Sequence, residues 1–335
     1  MPARPPQVQV FIPTFNRSGN LRRAVTSVLG QTFADIEVVV LDNHSSDDTP
    51  AVAAALMQAD SRVTYLRRET NIGMIANFNA IATLATAPYF TMQADDDDYE
   101  PGFLQTAIDA FNAYPDIQFV ACNALTRQGD TVIKSQLAAW RGGRYPPRAA
   151  VRRCLLGQYP LITNCLLRSA IREDFHFDPA LGNVSDGFLM TRLFAKYAAF
   201  VSLAITGHWN NDGENASSLQ KFDPVLIVDT VLREYELYAD FMRGHRFIVD
   251  GPALLWLKKT LTILVAADRS SFALVLEKSR LRQSAGRGYI AVLQLAHALR
   301  VVRIFMSGLR LFRHMQVVLV SRSKRNATVT TEAKG

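Results

Sequence analysis

Four consecutive carboxylates, Asp95-Asp96-Asp97-Asp98, follow the apolar run Tyr89-Phe90-Thr91-Met92 and precede Pro101, which opens a helical pattern. Like charges crowded at the end of a buried strand repel one another. Partial burial raises their pKa values unless a cation sits among them. Hard oxygen donors on a short loop suit Mg²⁺ or Mn²⁺, which proteins usually hold with one or two carboxylates while a substrate's phosphates complete the shell. The chemistry this loop predicts is a divalent ion that grips a diphosphate. A solvated acidic turn at a helix N-terminus is the plainer reading of the same residues.

The elements that must carry this loop can be read from the hydrophobic pattern. Val8 to Ile12 predicts a strand stopped by Pro13, and Leu21, Ala24, Val25, Val28 and Leu29 recur at helical spacing up to Gly30. Ile36 to Leu41 is a nearly continuous apolar, β-branched run, as in a parallel strand covered on both faces. A helix opens at Pro50, a third strand follows at Val63 to Leu66, a helix spans Ile72 to Leu84, and Tyr89 to Met92 is the fourth strand. This alternation predicts an α/β layer structure with a mainly parallel sheet flanked by helices. In such sheets ligands sit beyond the carboxyl ends of the strands. Thr14-Phe15-Asn16-Arg17, Asp42-Asn43 and the Asp95 cluster are three polar tips expected on one edge. That coincidence favours a ligand site over a solvated turn.

Further on, Pro101 to Tyr114 predicts a helix, Ile117 to Ala121 a strand, Arg127 to Pro160 loops near the site, Leu161 to Leu167 a strand, and Asp186 to Phe194 an amphipathic helix. Beyond about Phe222 the pattern is helical. Residues 1–220 are expected to form one α/β domain, divided near 125 and 126. A basic helical region follows over 221–325, then a disordered tail over 326–335. Arg300, Arg303, Arg310, Arg313, Arg322, Lys324 and Arg325 interleave with aliphatic and aromatic residues. Such amphipathic helices suit an anionic bilayer, or packing on the catalytic domain or on a second subunit.

The chain has 335 residues, 49% of them hydrophobic and 20% charged, which is a globular balance rather than a disordered one. The net charge of +7 fits phosphorylated substrates, anionic lipid or nucleic acid, but no nucleic-acid recognition motif accompanies it. Cys122, Cys154 and Cys165 show no CxxC spacing and are expected as buried free thiols, which favours a reducing, cytoplasmic setting, while the basic helices are what would bring the chain to the inner face of the cell membrane. No apolar stretch reaches ~18 uncharged residues, so no membrane span is expected.

The ordered motifs resemble family-two glycosyltransferases of the GT-A fold over roughly residues 7 to 220. Phe11-Ile12-Pro13-Thr14-Phe15-Asn16-Arg17 resembles the family's opening "PTYNR", and Asp42 to Thr49 resembles "DDGSTDGT". Asn71-Ile72-Gly73 with Asn77 resembles "NxG…RN", the acidic cluster resembles the DxD loop, and Ser185-Asp186 resembles the later "ED". The resemblance implies an inverting transfer of a sugar from a UDP- or dTDP-sugar to a saccharide or lipid-linked acceptor, aided by Mn²⁺ or Mg²⁺, in surface polysaccharide or glycolipid assembly.

It also implies roles for individual residues. Asp42 would accept a uracil or thymine N–H, the alternative being a turn residue bonded to its own backbone. Pro13, Thr14, Phe15, Asn16, Asn71, Gly73 and Asn77 would line the nucleotide. Arg17 would meet either phosphate or a carboxylate. Asp95 and Asp96 would serve the nucleotide sugar, with Asp96 or Asp97 as metal ligand and Asp98 as a helix cap. Asp186 would be the general base, or the N-cap of its helix, or both. Where the family has a late histidine on the metal or diphosphate, this chain has His208 early and Asp212 nearer the expected place, so both are carried as metal candidates. A sugar nucleotidyltransferase is the enzymatic alternative, but it would want a glycine-rich phosphate loop after the first strand, where Thr14-Phe15-Asn16-Arg17 has no glycine. An inactive nucleotide-sugar-binding protein is the other.

Overall fold

The computed structural model describes residues 5–211 and 224–244 of the chain. Residues 5–211 belong to one unit built on a ten-stranded sheet. Its first half runs β1 (Val8–Thr14), α1 (Ser18–Leu29), β2 (Ile36–Asp42), α2 (Thr49–Ala59), β3 (Val63–Arg67), α3 (Met74–Asn79), α4 (Ile81–Leu84) and β4 (Tyr89–Met92). The second half holds β5 (Asp98–Tyr99), α5 (Phe103–Ala113), β6 (Phe119–Gln128), β7 (Thr131–Ser135), β8 (Gly143–Tyr145), α6 (Val151–Leu155), β9 (Cys165–Arg168), α7 (Ser185–Lys196) and β10 (Ala199–Asn210). The strand order is β3-β2-β1-β4-β9-β6-β10-β5, with β7 beside β6 and β8 beside β10.

Strands β1, β2, β3 and β4 are parallel, and β9 enters antiparallel between β4 and β6. All seven residues of β1 are buried, as a central strand covered on both faces requires. On one face Val8, Val10 and Ile12 pack with Leu21, Val25 and Val28 of α1 and Phe103, Leu104, Ala107 and Phe111 of α5. Phe90 of β4 meets Phe175 edge-on at 5.2 Å, and Phe175 meets Phe177 at 5.3 Å. The three cysteines are buried and free, in line with the composition.

Several boundaries differ from the pattern-based reading. β10 was not expected; register shifts after Ser202 and after Ile205 interrupt the two-residue alternation that would reveal it. The 127–160 stretch contains β7, β8 and α6 rather than loops alone. β7 is an exposed edge strand, so it has no buried face to impose a pattern. The strand expected from Leu161 begins only at Cys165, after a 3₁₀ turn over Ile162–Asn164. α5 starts at Phe103 with Gly102 before it, so Asp98 is no helix cap; it lies in β5. In α8 (Pro224–Gly244), of which residues 224–241 belong to the second unit, Val228, Leu232 and Tyr238 are buried and Arg233 pairs with Glu236. The expectations for Asp212, for the basic helices and for the 326–335 tail lie outside the described residues. Among the described residues, no helix is long and apolar enough to cross a membrane.

Candidate active site

β1 pairs with both β2 and β4, and this brings the polar tips together. Thr14 lies opposite Asp42 in the parallel register, Asn43 N–H donates to the Thr14 carbonyl at 2.9 Å, and Gln93 N–H donates to the Phe11 carbonyl at 2.9 Å. The turn beyond β1 puts Asn16 at φ 54°, and the turn beyond β2 puts His44 at φ 70°. Asn and His are among the non-glycine residues that enter this left-handed region most readily. The Asn16 amide nitrogen of the backbone donates to Ser45 Oγ at 2.8 Å, and Asn16 Oδ1 accepts from Ser46 N–H at 2.7 Å. The two turns are thus laced to each other. Pro13 is buried within β1, and Phe15 is 41% exposed at the edge.

Asp42 is fully buried. Its Oδ1 accepts from Ser45 N–H at 2.8 Å, and Oδ2 accepts from Tyr65 Oη at 2.6 Å and lies 3.5 Å from Arg67 Nε. Burial, then the Asp42 carboxylate, pushes the Tyr65 phenol well up, which keeps it a donor. Asp42 therefore stands at the expected tip with both oxygens engaged by its own chain. Asn71 Oδ1 accepts from Asn43 Nδ2 and from Gly73 N–H, and Gly73 holds φ 86°, which favours glycine. Asn77 is also buried: Nδ2 donates to the Leu41 carbonyl at 3.0 Å and Oδ1 accepts from Arg68 Nε. Its amide anchors α3 beneath the end of β2.

The acidic loop is held from two sides. Arg17 Nη1 reaches Asp95 Oδ1 at 3.1 Å and Asp96 Oδ2 at 2.7 Å, so carboxylates are among its partners. Arg23 donates to the Asp96 carbonyl, and Gln93 Nε2 donates to the Asp97 carbonyl. From β10, the Asn210 N–H donates to Asp97 Oδ1 at 2.9 Å. His208 Nδ1 lies 2.6 Å from Asp98 Oδ1 and Nε2 3.2 Å from Glu100 Oε1. Both nitrogens of this buried ring face carboxylates of the chain itself.

Asp95, Asp96 and Asp97 are all buried. Burial pushes Asp95 up to about 6, against the pull of Arg17 and with a further push from Asp96. Burial, then Asp96, raises Asp97 well above the usual carboxylate range. Hydrogen bonds take one oxygen of each of the next two aspartates, leaving Asp96 Oδ1 and Asp97 Oδ2 without a partner among the described residues. Hard oxygens with unbalanced negative charge fit Mg²⁺ or Mn²⁺ in kind. Among the described residues, no three His, Cys, Asp or Glu side chains converge into a finished cage.

Asp186 lies in the first turn of α7, where a helix N-terminus favours negative charge. Its Oδ1 accepts from Gly187 N–H at 2.8 Å and from Tyr159 Oη at 3.4 Å. The Tyr159 ring packs so closely on Gly187 that a Cβ there would lie 2.7 Å from it. Tyr159, Asn210, Tyr65 and Asn43 were not singled out from sequence. The first two lie in stretches whose pattern hid their elements, and Asn43 was visible as the second residue of the Asp42 motif.

Known proteins resemble this chain in sequence or fold. The chain is 36% identical over 108 residues to the GalNAc(5)-diNAcBac-PP-undecaprenol beta-1,3-glucosyltransferase of Campylobacter jejuni, covering 32% of this chain and 35% of that protein. It is 26% identical over 193 residues to the putative colanic acid biosynthesis glycosyl transferase WcaA of Escherichia coli K12, covering 57% of this chain and 67% of that protein. The chain thus spans about a third of the first relative's length. Among solved structures, TarS 1-349 of S. aureus in complex with UDP-GlcNAc matches with a TM-score of 0.56 at 16% identity, over 82% of this chain and 74% of that one. The mannosyltransferase PcManGT of Pyrobaculum calidifontis, in complex with GDP-Man and Mn²⁺, matches with a TM-score of 0.56 at 16% identity, over 97% and 88%. The shared fold is GT-A, a mostly parallel mixed sheet flanked by helices. Over residues 9–175, about half of the chain, the sequence matches the model of glycosyl transferase family 2, and the chain belongs to that family.

Proposed function

We propose that this protein is an inverting glycosyltransferase that moves a sugar from a UDP- or dTDP-sugar to a hydroxyl of a saccharide or lipid-linked acceptor, in polysaccharide or glycolipid biosynthesis. The observation that carries the reading is Arg17, which leaves the tip of β1 beside Asp42 and bridges Asp95 and Asp96 beyond β4. Three strand tips of one parallel sheet thereby form one polar edge, where α/β folds take nucleotides. The names of the C. jejuni and E. coli relatives point to sugar transfer, and TarS with UDP-GlcNAc and PcManGT with GDP-Man each bind a nucleoside-diphosphate sugar.

In this reading Thr14, Asn16, Asp42 and the Asn71–Gly73 turn line the nucleoside, and Asp95 faces the ribose. Asp96 and Asp97 would hold Mg²⁺ or Mn²⁺, which supplies a Lewis acid against the charge that builds on the departing diphosphate. Arg17 holds the acidic loop to the nucleotide edge. Asp186 takes the proton of the acceptor hydroxyl as that oxygen attacks the anomeric carbon and the nucleoside diphosphate departs from the opposite side. Inversion follows from a single displacement. Tyr159 and the start of α7 keep the carboxylate aimed.

The test is nucleoside-diphosphate release from a panel of nucleotide sugars, with Mn²⁺ and with EDTA. The parent is expected to turn over a UDP- or dTDP-sugar only with metal. Asp96→Asn combined with Asp97→Asn is expected to abolish turnover while leaving the fold intact. Full activity of the double variant, or parent activity indifferent to EDTA, overturns the metal reading. Pyrophosphate release from a nucleoside triphosphate and a sugar phosphate would favour a nucleotidyltransferase instead.

A further inference from the structure

We propose that Asn210 is the positioning residue that aims the acidic loop at its cation; this rests on the divalent-ion reading above and extends it to a residue outside the loop. Asn210 closes β10 and engages three successive aspartates. Its backbone N–H donates to Asp97 Oδ1 at 2.9 Å, and its Nδ2 donates to the Asp96 carbonyl at 3.0 Å and to Asp98 Oδ2 at 2.9 Å. A side-chain amide nitrogen carries two donors, and here both are directed at the loop.

The consequence is geometric. The Asn210 side-chain amide fixes the loop backbone at Asp96 and the Asp98 carboxylate; on that frame Arg17 occupies Asp96 Oδ2 and the backbone N–H of residue 210 occupies Asp97 Oδ1, so the two oxygens without a partner among the described residues are Asp96 Oδ1 and Asp97 Oδ2. Holding one oxygen of a planar carboxylate sets the direction of the other, which is how outer-shell partners orient metal ligands. Asn210 is itself positioned by the strand that carries it. β10 runs parallel to β6 from Ala199 to Asn210. Gly207 lies so close to its neighbours that a Cβ would meet Asn164 Nδ2 at 2.5 Å and the Asp98 carbonyl at 3.2 Å. His208, between Asp98 and Glu100, ties the same strand to β5. A packed strand thus presents a fixed amide to a loop crowded with like charges.

The test uses Asn210→Ala, which keeps the backbone N–H and removes both side-chain donors. Mn²⁺ binding is measured by calorimetry with UDP or dTDP present, nucleotide binding is measured separately in EDTA, and unfolding is followed by heat. The expected result is an Mn²⁺ affinity about 10- to 100-fold weaker, with metal-free nucleotide binding within about twofold of the parent. An Mn²⁺ affinity within about twofold of the parent overturns the role of Asn210 while leaving the cation reading in place. A parent that binds no Mn²⁺ in the presence of either nucleotide overturns both. Should the alanine variant not fold, hydrogen exchange on the parent decides. Joint slowing of residues 95–98 and 208–210 on adding Mn²⁺ and nucleotide supports the proposal, and protection confined to 95–98 overturns it.

Discussion

Replacing Asp95 by asparagine should stabilise the metal-free protein, and do so more at high pH than at low. Asp95 is buried, and its folded-state pKa is pushed from the usual 3.8 to about 6, first by burial and then by Asp96, with Arg17 opposing. A carboxyl with a raised folded-state pKa keeps its proton more readily when folded, so folding is penalised as pH rises above 3.8 and the penalty is complete beyond about 6. The full penalty is about 3 kcal/mol, of which about 1 kcal/mol is present at pH ~4.5. Asparagine has no such penalty but gives up the 3.1 Å contact with Arg17, a loss largely independent of pH because Arg17 stays charged. The quantity to measure is therefore the slope. In EDTA, the stability of Asp95→Asn relative to the parent should rise by about 2 kcal/mol between pH ~4.5 and ~7.5, or several degrees in Tm. Urea unfolding followed by tryptophan fluorescence at the two pH values reads it directly. An Asn-minus-parent difference that is the same at both pH values, within about 0.5 kcal/mol, would refute the claim that Asp95 carries a buried charge.

Arg17→Met removes the cation bridging Asp95 and Asp96, so the metal-free protein should lose about 1–3 kcal/mol, the guanidinium being one-fifth exposed. Added Mn²⁺ should raise its Tm more than it raises the parent's, and an equal rise in thermal denaturation would count against a shared charge balance. Gly187→Ala forces the Tyr159 ring away from a Cβ that would sit 2.7 Å from it, at a cost of about 1–3 kcal/mol, and should lower turnover by loosening the contact with Asp186. A gain in stability with unchanged kcat, as alanine gives in an unobstructed helix, would sink that account. Phe90→Ala opens a cavity against Phe175 in the core and should cost about 3–5 kcal/mol in denaturant unfolding, and a loss under about 1 kcal/mol would mean the ring is not packed as described.

Local pattern was enough for the first half of the fold and for the polar tips, because apolar periodicity, Pro13, Gly30 and Pro50 act within a few residues of where they stand. Buried strands such as Val8–Thr14 and Ile36–Asp42 advertise themselves through their composition, and the motifs at their ends are contiguous. The second half was less legible for opposite reasons. β7 buries no face, and β10 is broken by register shifts, so neither keeps a two-residue rhythm. What residues 14–17 and 95–98 do to one another was beyond local reading, since it depends on β1 lying between β2 and β4. Long-range pairing set Arg17 against Asp95 and Asp96, took up the amide of Asn77 beneath β2, and, through β10 and β5, put His208 between Asp98 and Glu100. Residue type states which bonds a side chain can make; which ones it makes depends on the groups that long-range strand pairing carries within about 3 Å of it.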